Sequence, residues 1–287
     1  MTTAKHLSEL QADPPITGID SHAHVFVRNL SLAPGRRYAP AYEATLADYR
    51  AMLASQNLSH GVLVQPSFLG TDNHFLLSCL DRYPKRLRGI VMVDPTCDIG
   101  QIDAWHARGV VGARANLIGV ELPDFGSASW GRFLERMVAL NWHLEVHVEA
   151  ARLREISAAL LNSGVQIVID HFGRFDPALG TRDPGFSSVL AMAGSGRVWV
   201  KVSAAYRVSA NPHDPAAALA AATEAWPALV REFGVDRLVW GTDWPHTQFE
   251  DMQGAGTARA QLSAFVTDPD QLRAVLIDTP AALFHFQ

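Results

Sequence analysis

The sequence predicts an α/β protein, a single-domain (β/α)8 TIM barrel, on three observations. Eight short apolar runs, many of them rich in β-branched residues, recur along the 287-residue chain, and segments of helical composition lie between them. This alternation is the pattern of a parallel sheet with crossover helices, and about 250 residues is typical for eight such units. No run is followed by the glycine-rich phosphate fingerprint of a dinucleotide fold, so a doubly wound open sheet is the less favoured architecture.

The predicted elements follow in chain order. The strand-like runs, beginning with GID and HAHVF and continuing with HGVLVQ, RGIVMVD and VVGARANL, cover residues 18–26, 60–65, 88–94 and 110–117. The runs WHLEVHV, VQIVID, VWVKVS and RLVWGTD add strands at 142–148, 165–170, 198–203 and 237–243. Helical composition marks 45–57, 74–84, 130–141 and 151–164. Because no linker or low-complexity stretch divides the chain, we expect one barrel over 16–287 with an N-terminal extension at 1–15.

Composition narrows the classes of function. Hydrophobic residues make up 48% and charged residues 18% of the chain, which suits a globular domain with a large core. A net charge of -5 argues against a nucleic-acid or anionic-membrane partner and favours a small molecule. Two cysteines, Cys79 and Cys97, imply no disulfide framework, and no run reaches eighteen apolar residues. We therefore expect a cytoplasmic protein, and we leave its oligomeric state open.

The run GIDSHAHVF places His22 and His24 two residues apart on a predicted strand, so both rings share one face, with Asp20 expected on the same face. In a (β/α)8 barrel the functional groups gather at the C-terminal ends of the strands. Polar residues stand at most of those ends, and we expect them to meet at one barrel mouth. They are His22, His24, Gln65, Ser67, Arg114, Asn116, His147, Asp170, His171, Ser203 and Asp243.

Three of these segments carry a family resemblance. DSHAH on strand one, DHFGR on strand six and WGTDWPH on strand eight resemble the amidohydrolase superfamily, of the amidohydrolase-2 type. RRYAP, VLVQPSFLGTDN, RGIVMVDP, GARANL and WVKVS are similar to its branch that contains 2-pyrone-4,6-dicarboxylate lactonase. The resemblance spans about residues 16 to 285. It implies a hydrolase that opens a small carboxylated lactone.

Lactone hydrolysis needs a nucleophilic water and a polarised carbonyl. Asp243 is the expected general base, because a carboxylate beside a trapped water can accept its proton. His22, His24 and His171 are expected to donate to the carbonyl oxygen. The resemblance implies the same division of roles.

Metal dependence stays open at this point. His22, His24, His147 and Asp243 form a ligand set sufficient for one divalent ion, and zinc suits it best. A second ion usually needs a lysine or glutamate from strand four, where this chain has Arg114. The resemblance to the dicarboxylate lactonase implies catalysis without metal. The cofactor is therefore either none or one zinc ion.

Arginines predict an anionic substrate, because a guanidinium binds a carboxylate with two parallel hydrogen bonds. Arg36 and Arg37 are expected instead in surface ion pairs. The lactonase branch resembled here has a further arginine where this chain has Val120, so one carboxylate clamp is missing or comes from another loop. The predicted substrate-binding residues are Arg114, Arg174, Arg207, Tyr38, Ser67 and His147.

The favoured function is thus hydrolysis of 2-pyrone-4,6-dicarboxylate or a related carboxylated lactone. Three alternatives remain. A sugar-acid lactonase and a zinc-dependent decarboxylase belong to the same superfamily, and a non-catalytic barrel that binds an acidic metabolite is the third. Intact His22, His24, His171 and Asp243 argue against the last, because a binder needs no base beside carbonyl-polarising donors.

Overall fold

Eight parallel strands form one barrel in the computed structural model, which describes residues 15–287. The strands pair in sequence order. The segment after the last strand bonds back to the first, with Asp243 N donating to His22 O at 2.9 Å and His24 N donating to Trp244 O at 2.7 Å. This confirms the predicted barrel, while all of the proposed N-terminal extension except Pro15 lies outside the described residues. The strands are β1 (Ile19–Ala23), β2 (His60–Val64), β3 (Leu87–Val91), β4 (Val110–Asn116), β5 (His143–His147), β6 (Gln166–Ile169), β7 (Val198–Lys201) and β8 (Leu238–Val239).

Helices follow the strands and cover the outside of the barrel. Side chains that accept hydrogen bonds from first-turn N–H groups begin several of them: Thr45 forms a capping box with Asp48, and Asp183 and Asp214 each precede a proline at the first helical position. The four predicted helices end within two residues of their expected bounds. The helices are α1 (Leu46–Ser55), α2 (His74–Arg82), α3 (Ile99–His106), α4 (Ala128–Ala139), α5 (Ala150–Asn162), α6 (Pro184–Ala191), α7 (Pro215–Phe233), α8 (Ala255–Phe265), α9 (Pro269–Arg273) and α10 (Thr279–Leu283).

Apart from a small cluster around Phe26 and Phe68, the apolar side chains of residues 15–287 fill two spaces. The larger core lies between the sheet and the helices. The smaller one fills the N-terminal half of the barrel, where Phe284 and Phe286 pack against Ile19, Val62 and Val239. That end is therefore closed, and polar side chains collect toward the other end. Over residues 15–287, we find no helix with the length and hydropathy needed to cross a bilayer.

Strand β1 contains an irregularity that the two-residue period does not anticipate. Asp20 pairs with Gly61 and Ala23 pairs with Leu63, so three steps along β1 match two along β2 and one extra residue is inserted. The Asp20 carboxylate is consequently directed to the helix side, where Tyr49 Oη donates to it at 3.1 Å. The expectation that Asp20 shares a face with the two histidines was wrong.

The last strand is shorter than predicted. It ends at Val239, and the polar segment up to Asp243 is connecting chain rather than strand. Asp20 fixes this segment by accepting hydrogen bonds from Thr242 N and Thr242 Oγ1, both at 2.7 Å. The outward carboxylate of β1 thus anchors the residue that precedes Asp243.

Candidate active site

A cavity opens at the C-terminal end of the barrel. Its volume is about 580 Å³, including the part that is open to solvent. Three of the four predicted catalytic residues line it, namely His24, His171 and Asp243. All six predicted substrate-binding residues line it as well: Tyr38, Ser67, Arg114, His147, Arg174 and Arg207.

His22 is the exception among the predicted catalytic residues. It has no exposed surface and does not line the cavity. Its ring lies directly behind the lining, with its centroid 4.9 Å from that of His24 and 4.8 Å from that of His171. Its Nε2 is 3.3 Å from His24 Nε2 and 3.6 Å from Asp243 Oδ1. His22 therefore contacts the lining residues rather than the cavity.

Asp243 presents one carboxylate oxygen to the imidazoles and the other to Arg207 and Tyr206. Oδ1 lies 3.6 to 3.9 Å from the Nε2 atoms of His22, His24 and His171. Oδ2 accepts from Arg207 Nε at 2.8 Å and from Tyr206 Oη. Burial alone raises the pKa of Asp243, but the Arg207 guanidinium and the imidazoles outweigh burial and hold that pKa well below its usual range. Asp243 is thus ionised at neutral pH.

The hydrogen bond of His24 fixes its tautomer. Its Nδ1 is 2.7 Å from the carbonyl oxygen of Val64, which can only accept, so the Nδ1 carries the proton. Burial and the nearby Arg114 lower the pKa of His24 to about 4, so the ring is neutral and its Nε2 has a bare lone pair. The prediction that His24 donates to a carbonyl oxygen conflicts with this tautomer.

His171 can adopt the opposite tautomer to His24. Its Nδ1 lies 2.9 Å from Ser203 Oγ, which can donate to it and leave the ring proton on Nε2. Burial lowers the pKa of His171 to about 3, so this ring is also neutral at pH 7. Its backbone φ of 51° lies in the left-handed region, as does the φ of 60° at Asp243. Such conformations concentrate at functional sites.

Arg114 is already paired. Its Nε and Nη2 donate to Asp170 Oδ2 at 3.3 and 3.1 Å, and its Nη2 also lies 3.0 Å from His147 Nδ1. A guanidinium cannot accept, so His147 accepts at Nδ1 and carries its proton on Nε2. Arg114 and His147 therefore form part of the wall as a bonded unit with Asp170.

Arg174 differs from Arg114 and Arg207, whose guanidinium groups pair with Asp170 and Asp243. Among residues 15–287, no carboxylate lies within ion-pair distance of its guanidinium, and the nearby Glu149 pairs with Arg152 at 3.2 Å. Burial and the positive charge of Arg207 lower the pKa of Arg174 to about 10. A mostly buried cation without an anion is costly. The cavity therefore offers an unmatched positive charge to a ligand.

The prediction for Arg36 and Arg37 needs correction. Neither arginine forms the expected surface ion pair with a residue of 15–287: Arg37 lines the cavity, and Arg36 donates to Ala33 O at 3.2 Å. Trp244 and His246, which follow Asp243 closely in the chain, line a separate cleft on the outer side of this segment. Thr247 and Gln248 line the cavity in their place.

Within residues 15–287, ligand atoms for a metal come together in two groups, each within 4.8 Å: His22, His24 and Asp243 in one, and His22, Asp170 and His171 in the other. His147 belongs to neither group, so the predicted set of four is not assembled. Both groups depend on His22, whose Nδ1 lies 2.9 Å from Lys201 Nζ. An ammonium only donates, so this contact uses the Nδ1 lone pair and leaves the proton on Nε2.

With both ring nitrogens of His22 engaged in this way, the first group offers at most His24 and Asp243 as ligands. The second group offers at most Asp170 and His171. Zinc sites commonly use three or four protein ligands. The hydrogen-bonded arrangement of these residues therefore does not fit a zinc ion, although their separations do.

Sequence reasoning missed three buried residues at this site. Lys201 and Glu145 lie below the cavity, with Lys201 Nζ 2.5 Å from Glu145 Oε1, and Tyr206 donates to Asp243. The two-residue period was an available signal, because Glu145 precedes His147 by two residues and Lys201 precedes Ser203 by two. Each therefore faces the barrel interior one layer below a predicted mouth residue.

Acid is expected to destabilise the folded protein. The pKa values of buried His24, His171 and His246 are lowered to between about 3 and 4. An unfolded histidine binds its proton near pH 6.5. The unfolded chain therefore takes up protons that the folded protein refuses, and stability is lost as the pH falls from about 6.5 to 4.

The expected loss is about 1 kcal/mol per pH unit for each histidine. Asp20 opposes it, because burial raises its folded pKa to about 6, which favours the folded state as the pH falls toward 4. The combined effect of three histidines is larger than that of Asp20, so we expect a net loss of stability. Urea unfolding at pH 7 and pH 5 measures the difference, and equal unfolding free energies would contradict the prediction.

Comparison with known proteins gives a consistent result. A family model described as amidohydrolase matches residues 19–286. A 4-sulfomuconolactone hydrolase of Rhizobium radiobacter is 30% identical over 92% of this chain and 89% of its own length.

Two solved structures are similar over almost the whole chain. Both are provisionally assigned as 2-pyrone-4,6-dicarboxylic acid hydrolases. The protein from Pseudomonas putida is 46% identical with a TM-score of 0.89, covering 96% of this chain and 99% of its own. The protein from Acinetobacter baumannii, solved with citric acid bound, is 37% identical with a TM-score of 0.90, covering 94% and 100%.

Proposed function

The chain belongs to the amidohydrolase family, and from that premise we propose that it hydrolyses a small anionic lactone. One observation carries the proposal: Asp243 Oδ1 lies 3.6 to 3.9 Å from three imidazole Nε2 atoms, at a cavity lined also by Arg174, for which residues 15–287 supply no carboxylate partner. An ionised base, neutral imidazoles and a free cation are the groups that attack on an anionic ester requires.

The proposed reaction begins with a water molecule held by Asp243 Oδ1 beside the ring of His24. As the water oxygen bonds to the lactone carbonyl carbon, its proton passes to Asp243. The carbonyl oxygen becomes an oxyanion, which accepts from His171 Nε2–H. Collapse breaks the ring C–O bond, and the proton moves from Asp243 to the leaving oxygen. His22 supports this set from behind instead of donating to the carbonyl.

The low pKa of Asp243 suits its position in this scheme. The carboxylate is ionised before substrate binds and needs no activation. It is also a weak base, so it releases the proton readily to the leaving oxygen when the intermediate collapses. The proposed reaction uses no metal, because the hydrogen-bonded histidines do not fit a zinc ion.

The substrate we propose carries at least one carboxylate or a similar anionic group, which Arg174 binds. The relatives support this class of substrate, because they are named as hydrolases of 4-sulfomuconolactone and of 2-pyrone-4,6-dicarboxylic acid. One of them was also solved with citric acid bound. Val120 does not line the cavity and is 46% exposed, so it supplies no second clamp. The Cδ of Arg37 lies 3.7 Å from the point where a Cβ on Gly119 would stand, so the Arg37 side chain passes over Gly119. From there it is placed to supply a second clamp.

Replacing Arg37 with Ala is expected to raise KM for a dicarboxylate lactone by about 3- to 10-fold, because one charge-assisted contact at an exposed position is lost. KM for a monocarboxylate analogue should stay the same. Arg36→Ala is the matched control, since that side chain is exposed and does not line the cavity. An equal change for both substrates, or for both variants, would argue against a second clamp.

A panel of lactones tests the function itself. Pyrone dicarboxylate, a sulfonated muconolactone and aldonolactones would be assayed with product analysis, before and after treatment with a chelator and with zinc added back. We expect ring-opened acid from an anionic lactone at a rate that chelation leaves unchanged. Loss of activity that zinc restores would refute the metal-free scheme, and turnover of aldonolactones alone would favour a sugar-acid lactonase.

Two further outcomes would replace the proposal. Release of carbon dioxide without ring opening would identify a decarboxylase. Tight binding of carboxylates without turnover of any lactone would identify a binding protein. The remaining predicted contacts, Ser67 and Tyr38, stay predictions, although Tyr38 Oη already donates to Glu250 Oε1 at 2.6 Å.

A further inference from the structure

A chain of buried polar groups runs beneath the cavity, from β5 through β7 to β1. Glu145, Lys201 and His22 are each completely buried. Lys201 Nζ lies 2.5 Å from Glu145 Oε1, 2.9 Å from His22 Nδ1 and 3.6 Å from Asp170 Oδ1. None of the roles proposed above uses Lys201 or Glu145.

The contact with His22 does more than balance charge. Pairing with Glu145 would satisfy the ammonium charge of Lys201, yet a second N–H is directed to a neutral ring that faces the reaction site. Asp170 Oδ1 is the competing partner of His22 Nδ1, at 3.5 Å, and it would favour the opposite tautomer with the proton on Nδ1. The shorter contact, to Lys201, decides between them.

The proton placed on His22 Nε2 is then available to two groups of the lining. One is His24 Nε2 at 3.3 Å, and the other is Asp243 Oδ1 at 3.6 Å. Without that proton, two bare imidazole nitrogens and a carboxylate oxygen would face one another. Their lone pairs would repel and the three groups would separate.

We propose that Lys201, held by Glu145, is a positioning residue that fixes the tautomer of His22 and through it aligns His24 and Asp243 for the reaction. The role in turnover rests on the proposed lactone hydrolysis, whereas the tautomer does not. Lys201 touches no substrate and acts only through His22.

The test uses Lys201→Met and the double variant Glu145→Gln/Lys201→Met. Methionine has a similar length and cannot donate. The single variant leaves Glu145 buried without its cation and can fail to fold, whereas the double variant removes both charges and leaves Asp170 paired with Arg114. Val200→Ala is the matched control, because Val200 is a buried neighbour on β7 that packs in the helix-side core.

The first readout is the protonation site of His22, from ¹H–¹⁵N correlation spectra of protein labelled in its histidine nitrogens, with His22→Gln to assign the signal. We expect the proton on Nε2 in the wild type and in Val200→Ala, and on Nδ1 in the double variant. A wild-type signal from the Nδ1–H tautomer would overturn the proposal without reference to any activity.

The second readout is kinetic. The double variant should lose about 10- to 100-fold in kcat, the cost typical of removing a supporting partner of a reactive group, with KM within about 3-fold of the wild-type value. Val200→Ala should keep its kcat. A folded double variant with unchanged kcat would refute the positioning role. If the wild type opens no lactone, the proposed function fails and the spectra alone decide the tautomer.

Discussion

Replacing Asp243 with Asn is expected to lower kcat by about 10²- to 10⁴-fold, the contribution of a positioned general base. The amide has the shape of the carboxylate but cannot accept a proton from water. KM should change little, because Arg174 still binds the anionic group. Steady-state kinetics on the folded variant, with a lactone that the wild type opens, give both values.

Tyr206→Phe is the control for this experiment. It removes one hydrogen bond to Asp243 Oδ2 while the carboxylate and its pairing with Arg207 remain. We expect its kcat to fall by less than about 10-fold, the effect of a single hydrogen bond of about 1 kcal/mol. A kcat for Asp243→Asn close to that of Tyr206→Phe would remove Asp243 from the role of base.

Replacing Arg174 with Met is expected to raise KM by roughly 30- to 150-fold, which corresponds to about 2–3 kcal/mol for the lost partner of a buried anion. The kcat should stay within a few-fold of the wild-type value, because the contact is present in the ground state and the transition state alike. The folded protein should also become more stable, since a buried charge without a partner is removed.

Arg174→Lys should lie between the wild type and Met, because it keeps the charge and loses the planar fork. Arg154→Met is the matched surface control, because that side chain is exposed and does not line the cavity. Its KM should equal that of the wild type. A lower stability of Arg174→Met would mean that the guanidinium has a partner within the protein.

The barrel and most of the cavity lining could be predicted because both depend on local regularities. Strand composition alternates with helical composition, and parallel strands bring their C-terminal ends to one mouth. Residues as distant as His24 and Asp243 therefore meet without any sequence signal linking them. The predicted arginines reach the cavity for the same reason.

What could not be predicted depends on partners across the barrel. The tautomer of His24 is set by a carbonyl of β2, and that of His22 by an ammonium of β7. Arg207 was expected to bind substrate, yet its Nε donates to Asp243. Such pairings follow from three-dimensional distances of a few ångströms, whereas residue type and spacing indicate only which side chains share a rim.

The inserted residue in β1 has a consequence for how this strand tolerates change. A strand with regular alternation would turn its carboxylate and its first imidazole to the same side, so the anchor beneath Thr242 and the ring behind the mouth would compete for one space. Shortening the segment between Asp20 and Ala23 by a single residue should therefore cost both together: the loop bearing Asp243 would lose its tether while His22 rotated toward the helices. Length, more than side-chain identity, is what we expect natural variation to preserve there.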